Sequence, residues 1–235
     1  MEFKRWKNLG EILPQEVEEF IGSFGKKEEI LTEIEEYAKR EKVPILLPSS
    51  AQLLRLLVST LKPKKVLEIG TGIGYSTLNI YFANRSSQIT TVDSNRKRLE
   101  VARSFFKRVK APIKVVESDG FDFIREELSE GRKYNFIFID STKGEYPFFN
   151  YKVQALLEPG GVVVFDNVLF RGYVAGRKYE RRYERSVVLL KLFLNQVKEY
   201  PNFRSYLIGV GDGLLVIENL VYNGDGGSEP GFLRD

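Results

Sequence analysis

Apolar residues recur at three- and four-residue spacing over residues 14–40: Val17, Phe20 and Ile21, then Ile30, Ile34, Tyr37 and Ala38. That is the period of helices with one buried face. Gly22-Ser23-Phe24-Gly25 interrupts the pattern and divides it into two helices. Val43–Pro48 reads as a proline-bounded loop, and Ser49 or Ser50 is placed to cap a helix Ala51–Leu61, which Lys62-Pro63 ends.

From there the pattern alternates. Val66–Gly70, Ile89–Asp93, Ile113–Glu117, Phe136–Asp140 and Val162–Asp166 are short apolar runs that read as strands. Ser76–Asn84, Arg96–Val109, Phe121–Leu128 and Glu145–Leu157 read as the helices between them, and a long helix Arg182–Tyr200 follows the fifth strand. Phe203–Ile208 and Leu214–Glu218 are two further strands, and the turn Gly209–Gly213 between them is too tight for a helical crossover. The pattern therefore predicts an α/β fold, a mostly parallel sheet with helices on both faces and an antiparallel last strand. The 235 residues suit one domain over 1–222 with an N-terminal helical extension over 1–61. The glycine-rich polar tail 223–235 is expected to be disordered.

Composition narrows the chemistry. Cys and His are both absent, which removes disulfides, zinc-thiolate sites, cysteine nucleophiles and histidine bases. Proton transfer is left to Lys, Asp, Glu, Tyr or water. Runs such as Gly161–Phe165 are too short to span a bilayer, and Met1–Lys7 is charged with no apolar stretch behind it, so a cytoplasmic protein without a membrane partner is expected. The net charge of +4 is modest. Its distribution is not: Arg171 to Arg185 holds six basic residues (Arg171, Arg177, Lys178, Arg181, Arg182, Arg185) against Glu180 and Glu184. Such a segment can meet phosphates, or it can be a solvated helix face.

The candidate site residues stand at strand ends, where open α/β sheets bind ligands. Gly70, Gly72 and Gly74 let the backbone after the first strand pass close to a ligand, and Asp93, 19 residues after Gly74, can take both hydroxyls of a ribose. A dinucleotide fingerprint would need glycine where Tyr75 stands, and Glu68 would repel a pyrophosphate, so a cationic methyl donor fits better. Asp140, with Lys143 three residues on, and Asp166-Asn167 end two neighbouring apolar runs. Two carboxylates and an amide oxygen are hard ligands, suited to Mg²⁺, Mn²⁺ or Ca²⁺. Taken singly, Asp140 could cap a turn and Asp166-Asn167 could form an Asx turn.

The stretches VLEIGTGIGYS (66–76), VDSN (92–95), SDG (118–120), FIDSTKGEY (138–146) and EPGGVVVFDNVLFRG (158–172) resemble, in order and spacing, the metal-dependent class I O-methyltransferases of the catechol and caffeoyl-CoA type. The resemblance covers about residues 40–218 and implies a Rossmann-like seven-stranded sheet, S-adenosylmethionine as methyl donor and a divalent cation, usually in a homodimer. It further implies Asp140, Asp166 and Asn167 as metal ligands, Lys143 and Asp140 as catalytic residues, and Leu46, Glu68, Gly70, Ser76, Asp93, Asp119 and Asp140 as cofactor contacts. VPI (43–45), KGEYPFF (143–149), DNVLFRGYVA (166–175) and VGDGL (210–214) are most similar to bacterial enzymes that methylate 5-hydroxyuridine at the tRNA wobble position. Ser141-Thr142 replaces the usual Ala-Asp, and Leu215 stands where animal catechol enzymes have an acid. Three readings remain open at this level. The chain is a tRNA-modifying enzyme that uses segment 171–185, a small-molecule O-methyltransferase of the catechol type, or a non-catalytic cofactor-binding protein on the same fold.

Overall fold

The computed structural model describes residues 12–222 and 228–229. Helices α1 (Gln15–Ser23), α2 (Glu29–Glu41) and α3 (Pro48–Leu61) precede the alternating part. That part runs β1 (Lys65–Ile69), α4 (Tyr75–Ala83), β2 (Gln88–Asp93), α5 (Arg96–Arg108), β3 (Lys114–Glu117), α6 (Gly120–Ser129), β4 (Tyr134–Ile139), α7 (Tyr146–Ala155) and β5 (Leu157–Phe165). Helix α8 (Glu184–Lys198) and strands β6 (Phe203–Ile208) and β7 (Leu214–Asn219) complete the domain. The sheet order is β3-β2-β1-β4-β5-β7-β6, with β7 antiparallel to both β5 and β6, so the expected architecture is borne out.

Side chains alternate across the sheet and so divide the core in two. Val66, Phe136, Phe138, Val162 and Val164 pack under α2 to α5. Leu67, Ile137, Ile139, Val163 and Phe165 pack under α6 to α8, where Phe193 and Tyr146 are fully enclosed. The order of the parallel strands reverses at β1, which lies between β2 and β4, and this switch point opens the crevice beyond the carboxyl ends of β1, β2 and β4.

Several local expectations need correction. The helix expected at Ala51 starts at Pro48, and neither Ser49 nor Ser50 is its N-cap; Leu47 holds that position and offers no side-chain acceptor. Strand β5 begins at Leu157, five residues before the expected Val162, because Leu157 pairs with Tyr134 across a register shift that absorbs Pro159-Gly160-Gly161. The long helix is regular only from Glu184, after a single 3₁₀ turn Arg181–Tyr183. The tail 223–235 lies outside the described residues except for Ser228-Glu229, which pair with Val221-Tyr222.

Candidate active site

Register brings the two carboxylates together. Ile139 of β4 pairs with Phe165 of β5, so the next residues, Asp140 and Asp166, leave neighbouring strands side by side. The Asp166 N–H donates to the Ile139 carbonyl at 3.0 Å, and the Asp140 N–H donates to the Ile69 carbonyl at 2.9 Å. Asn167 follows at φ 56°, a left-handed conformation that Asn tolerates better than most residues. Phe170 and Arg171 are left-handed as well, at 45° and 59°. Such strain persists only where surrounding contacts over-determine the backbone. Here the turn between β6 and β7 supplies them: the Val168 and Leu169 N–H groups donate to the carbonyls of Gly213 and Asp212 at 3.0 Å each, and the Arg171 N–H donates to the Asp212 carboxylate.

Asp166 is 1% exposed, and its Oδ1 has no hydrogen-bond partner. Burial, reinforced by the Asp140 charge, pushes its carboxyl up to about 7. An enclosed, unsatisfied carboxylate beside a second one is costly unless a cation joins them. Among the described residues no three His, Cys, Asp or Glu side chains converge, and the oxygen-bearing side chains at this point are the Asp140 and Asp166 carboxylates and the adjacent Asn167 amide. The donor set is all oxygen and fits a hard divalent cation.

Lys143 lies beside the pair. Its Nζ donates to Asp140 Oδ1 at 3.0 Å and to the Tyr146 hydroxyl at 2.9 Å, and that hydroxyl donates to the Asp166 carbonyl at 2.8 Å. Burial by itself would lower the lysine's pKa, but Tyr146, Asp140 and Asp166 hold it above its ordinary value. Tyr146 is a core residue, packed against Phe165 and Phe193, and its hydroxyl braces the lysine.

A cavity of about 480 Å³ lies in the crevice, lined among others by Gly70, Gly72, Asp93, Asp119, Asp140 and Lys143. Gly70 has φ +103°, and a Cβ there would run into the backbone carbonyl of Asp140. Asp93 Oδ2 accepts the Gly72 N–H at 2.8 Å and Oδ1 accepts the Asn95 N–H at 2.8 Å, so this carboxylate also shapes the glycine turn. Asp119 caps α6 through Oδ1. Leu46 and Ser76 are buried and do not line the cavity; from the loop before α3 it is Pro44 that does. Sequence reasoning passed over Pro44, Arg98, Glu145 and Phe149, all in the wall. Pro44 stood inside VPI (43–45) and Glu145 and Phe149 inside KGEYPFF (143–149), where none was assigned to the cofactor, and Arg98 stood in no quoted motif.

Glu68 is fully buried on the α4 side of β1. Its Oε2 accepts the hydroxyls of Thr77 and Thr91, the Thr71 hydroxyl lies 2.6 Å from that of Thr91, and Oε1 has no partner. Burial pushes the Glu68 carboxyl from 4.5 up to about 7, against the lowering effect of the Ser76, Thr77 and Thr91 hydroxyls. A carboxyl raised in the folded state is stabilising while protonated, so its contribution is lost as pH rises. The melting temperature of the ligand-free protein is thus expected to fall between pH 4.5 and about 7, and Glu68→Gln should flatten that part of the profile. A calorimetric pH series with an unchanged slope in the variant would refute this.

The arginine segment forms its own feature. Phe170, Tyr173, Tyr179 and Tyr183 pack as a ring cluster, with Arg171 and Arg182 over the Tyr183 ring at 5.6 and 4.7 Å. Next to it, Arg181, Arg182, Arg185, Val188, Leu189 and the exposed Phe148 line a groove. Leu189 also sits where a Cβ on Gly144 would touch it at 3.4 Å, one residue from Lys143.

The profile of the O-methyltransferase family matches residues 22–220. The caffeoyl-CoA O-methyltransferase of Stellaria longipes is 28% identical over 184 residues, covering 74% of this chain and 76% of that protein. The O-methyltransferase of Bacillus cereus, solved in complex with SAH, superposes with a TM-score of 0.76 at 23% identity over 87% of this chain and 97% of its own. The O-methyltransferase TomG of Streptomyces achromogenes, solved with SAM, gives 0.73 at 23% identity over 93% and 99%. The family profile spans the three-layer domain from the end of α1 to the end of β7, including every candidate site residue, and the chain belongs to the O-methyltransferase family.

Proposed function

We propose that this O-methyltransferase takes its methyl group from S-adenosylmethionine and delivers it, with a divalent cation such as Mg²⁺, to one of two adjacent oxygens on an RNA base, 5-hydroxyuridine at the tRNA wobble position. The cavity between Gly70, Asp93 and Asp119 is the place for the donor: four carboxylates, Asp93, Asp119, Asp140 and Glu145, border it and favour a cationic ligand. Asp140, Asp166 and Asn167 would hold the cation. Bound there, it would lower the pKa of an acceptor hydroxyl, whose proton would pass to water, and orient the oxygen.

The protein's own residues do the rest. Asp140 borders the cavity and pairs with Lys143, so it ties the donor site to the acceptor site. Lys143 presents an ammonium that can stabilise an oxyanion, held in direction by Tyr146. The glycine turn and the walls around Asp140 fix donor and acceptor relative to each other, and methyl transfer needs little beyond that alignment.

The observation that carries the RNA reading is the groove of three arginines, against one Glu184, and an exposed phenylalanine, whose wall residue Leu189 adjoins Gly144 next to Lys143. Arginines grip phosphates, and an aromatic ring offers a stacking surface for a base splayed from a loop. A second reading, a small-molecule acceptor, is favoured by the caffeoyl-CoA enzyme among the relatives. Labelled methyl transfer to tRNA carrying 5-hydroxyuridine and to a simple catechol, each with Mg²⁺ or EDTA, separates the two. EDTA-sensitive labelling of the catechol alone would remove the RNA reading.

The charge reversal Arg181→Glu with Arg182→Glu is expected to cut tRNA affinity by roughly 100-fold and reduce its salt dependence. Turnover of a catechol, if any, should stay within about twofold because neither residue borders the cavity. Unchanged tRNA turnover at physiological salt would contradict the grip.

A further inference from the structure

Helix α1 carries a buried carboxylate that the site chemistry does not use. Glu18 is 3% exposed; its Oε2 accepts the Ser49 N–H at 3.0 Å, and its Oε1 accepts the Ser49 hydroxyl at 2.6 Å. Helix α3 has no side-chain cap of its own. Glu18 therefore supplies, from a different helix, an acceptor that the first turn of α3 lacks, and the positive end of that helix favours the charge.

The contact does not stop there. The Ser49 hydroxyl also accepts the backbone N–H of Gly211 at 2.7 Å. Gly211 lies in the β6–β7 turn at φ +57°, where a Cβ would collide with Ser50. Its neighbours Asp212 and Gly213 are the groups that hold the Val168, Leu169 and Arg171 amides. A hydrogen-bonded path thus leads from α1 through Ser49 and the turn to the loop that starts with Asp166 and Asn167. That loop contains three left-handed non-glycine residues and needs outside restraint to stay as it is.

We propose that Ser49 is a positioning residue: its hydroxyl lets helix α1 hold the β6–β7 turn, and through the turn it fixes loop 166–171 for cation binding. The inference rests on the reading of Asp166 and Asn167 as cation ligands. The N-terminal helices are on this view part of the site, although they contribute no group to it.

The test uses the full-length protein with Ser49→Ala, which removes the hydroxyl bridge but keeps the Ser49 N–H on Glu18, and Ser49→Thr, which restores a hydroxyl. Two readouts are needed, hydrogen exchange of the Val168, Leu169 and Arg171 amides and Mn²⁺ binding by calorimetry. In Ser49→Ala, exchange at those three amides should accelerate by about tenfold or more, with the β1 and β4 amides unchanged. Mn²⁺ affinity should fall by about 10-fold or more, as for lost outer-shell support, and Ser49→Thr should recover both. Parent-like exchange at the three amides in a folded Ser49→Ala protein would overturn the proposal. So would accelerated exchange with undiminished Mn²⁺ affinity. A parent protein that takes up no Mn²⁺ would overturn the ligand reading instead, and the exchange rates would then decide the coupling by themselves.

Discussion

Asp166→Ala is expected to lower methyl transfer by about three orders of magnitude, the scale of losing a Lewis acid, while S-adenosylmethionine binds within about twofold of the parent affinity. The split follows from position. Asp166 stands next to Asp140 across β4 and β5 but does not border the cavity proposed for the donor. Turnover with saturating Mg²⁺ and calorimetric titration of the donor measure the two halves. A purely structural role makes a different forecast, because replacing a buried, partnered group would destabilise the fold. Asp166 Oδ1 has no partner, so Asp166→Asn, of the same shape without the charge, should melt no lower than the parent in chelator. A variant that retains turnover, or one that fails to fold, would dismiss the ligand assignment.

Gly70→Ala should act at the donor site and on the fold together. The backbone at φ +103° disfavours any side chain, and the added Cβ points at the Asp140 carbonyl rather than at a movable side chain. Relief requires β1 and β4 to separate at their ends, which strand pairing resists at Ile69 and Ile139. The expected cost is about 3 kcal/mol of stability, from backbone strain plus overpacking. Donor affinity should drop by roughly 100-fold, since the glycine turn and Asp140 both border the cavity. Gly72→Ala is the useful contrast, because a Cβ there meets nothing within 4 Å and only the φ of +53° is unfavourable. Equal losses in the two variants would mean that the contact with Asp140 is not what matters.

Much of this was readable in the chain. Strand–helix alternation gave every sheet strand within a few residues, because buried strands and amphipathic helices leave different periods. Asp140 and Asp166 were conspicuous as acids ending apolar runs, and register alone makes such positions neighbours. What escaped depends on direction and on distant partners. Glu68 was read as a cofactor contact, and its hydroxyl partners, Thr77 on α4 and Thr91 on β2, could not be read from its own stretch. Ser49 was read as a cap because serine before a helix usually is one, yet its partner comes from Glu18, 31 residues earlier. Tyr146 is core, and only its hydroxyl, turned to Lys143 and the Asp166 carbonyl, gives it a part in the site. No local pattern encodes a hydrogen bond across 162 residues such as Gly211 to Ser49.

Asp140 belongs at once to the wall of the cavity and to the pair with Asp166, and its backbone leaves no space against Gly70. If a cation and the methyl donor both lie against this carboxylate, any coupling between them is mutual. Whatever factor a cation contributes to the affinity for the methyl donor, the donor must contribute to the affinity for the cation, since the cycle of four states closes. The donor titration of Asp166→Ala therefore reads the coupling in both directions: a donor affinity within about twofold of the parent limits the donor's effect on cation affinity to the same factor.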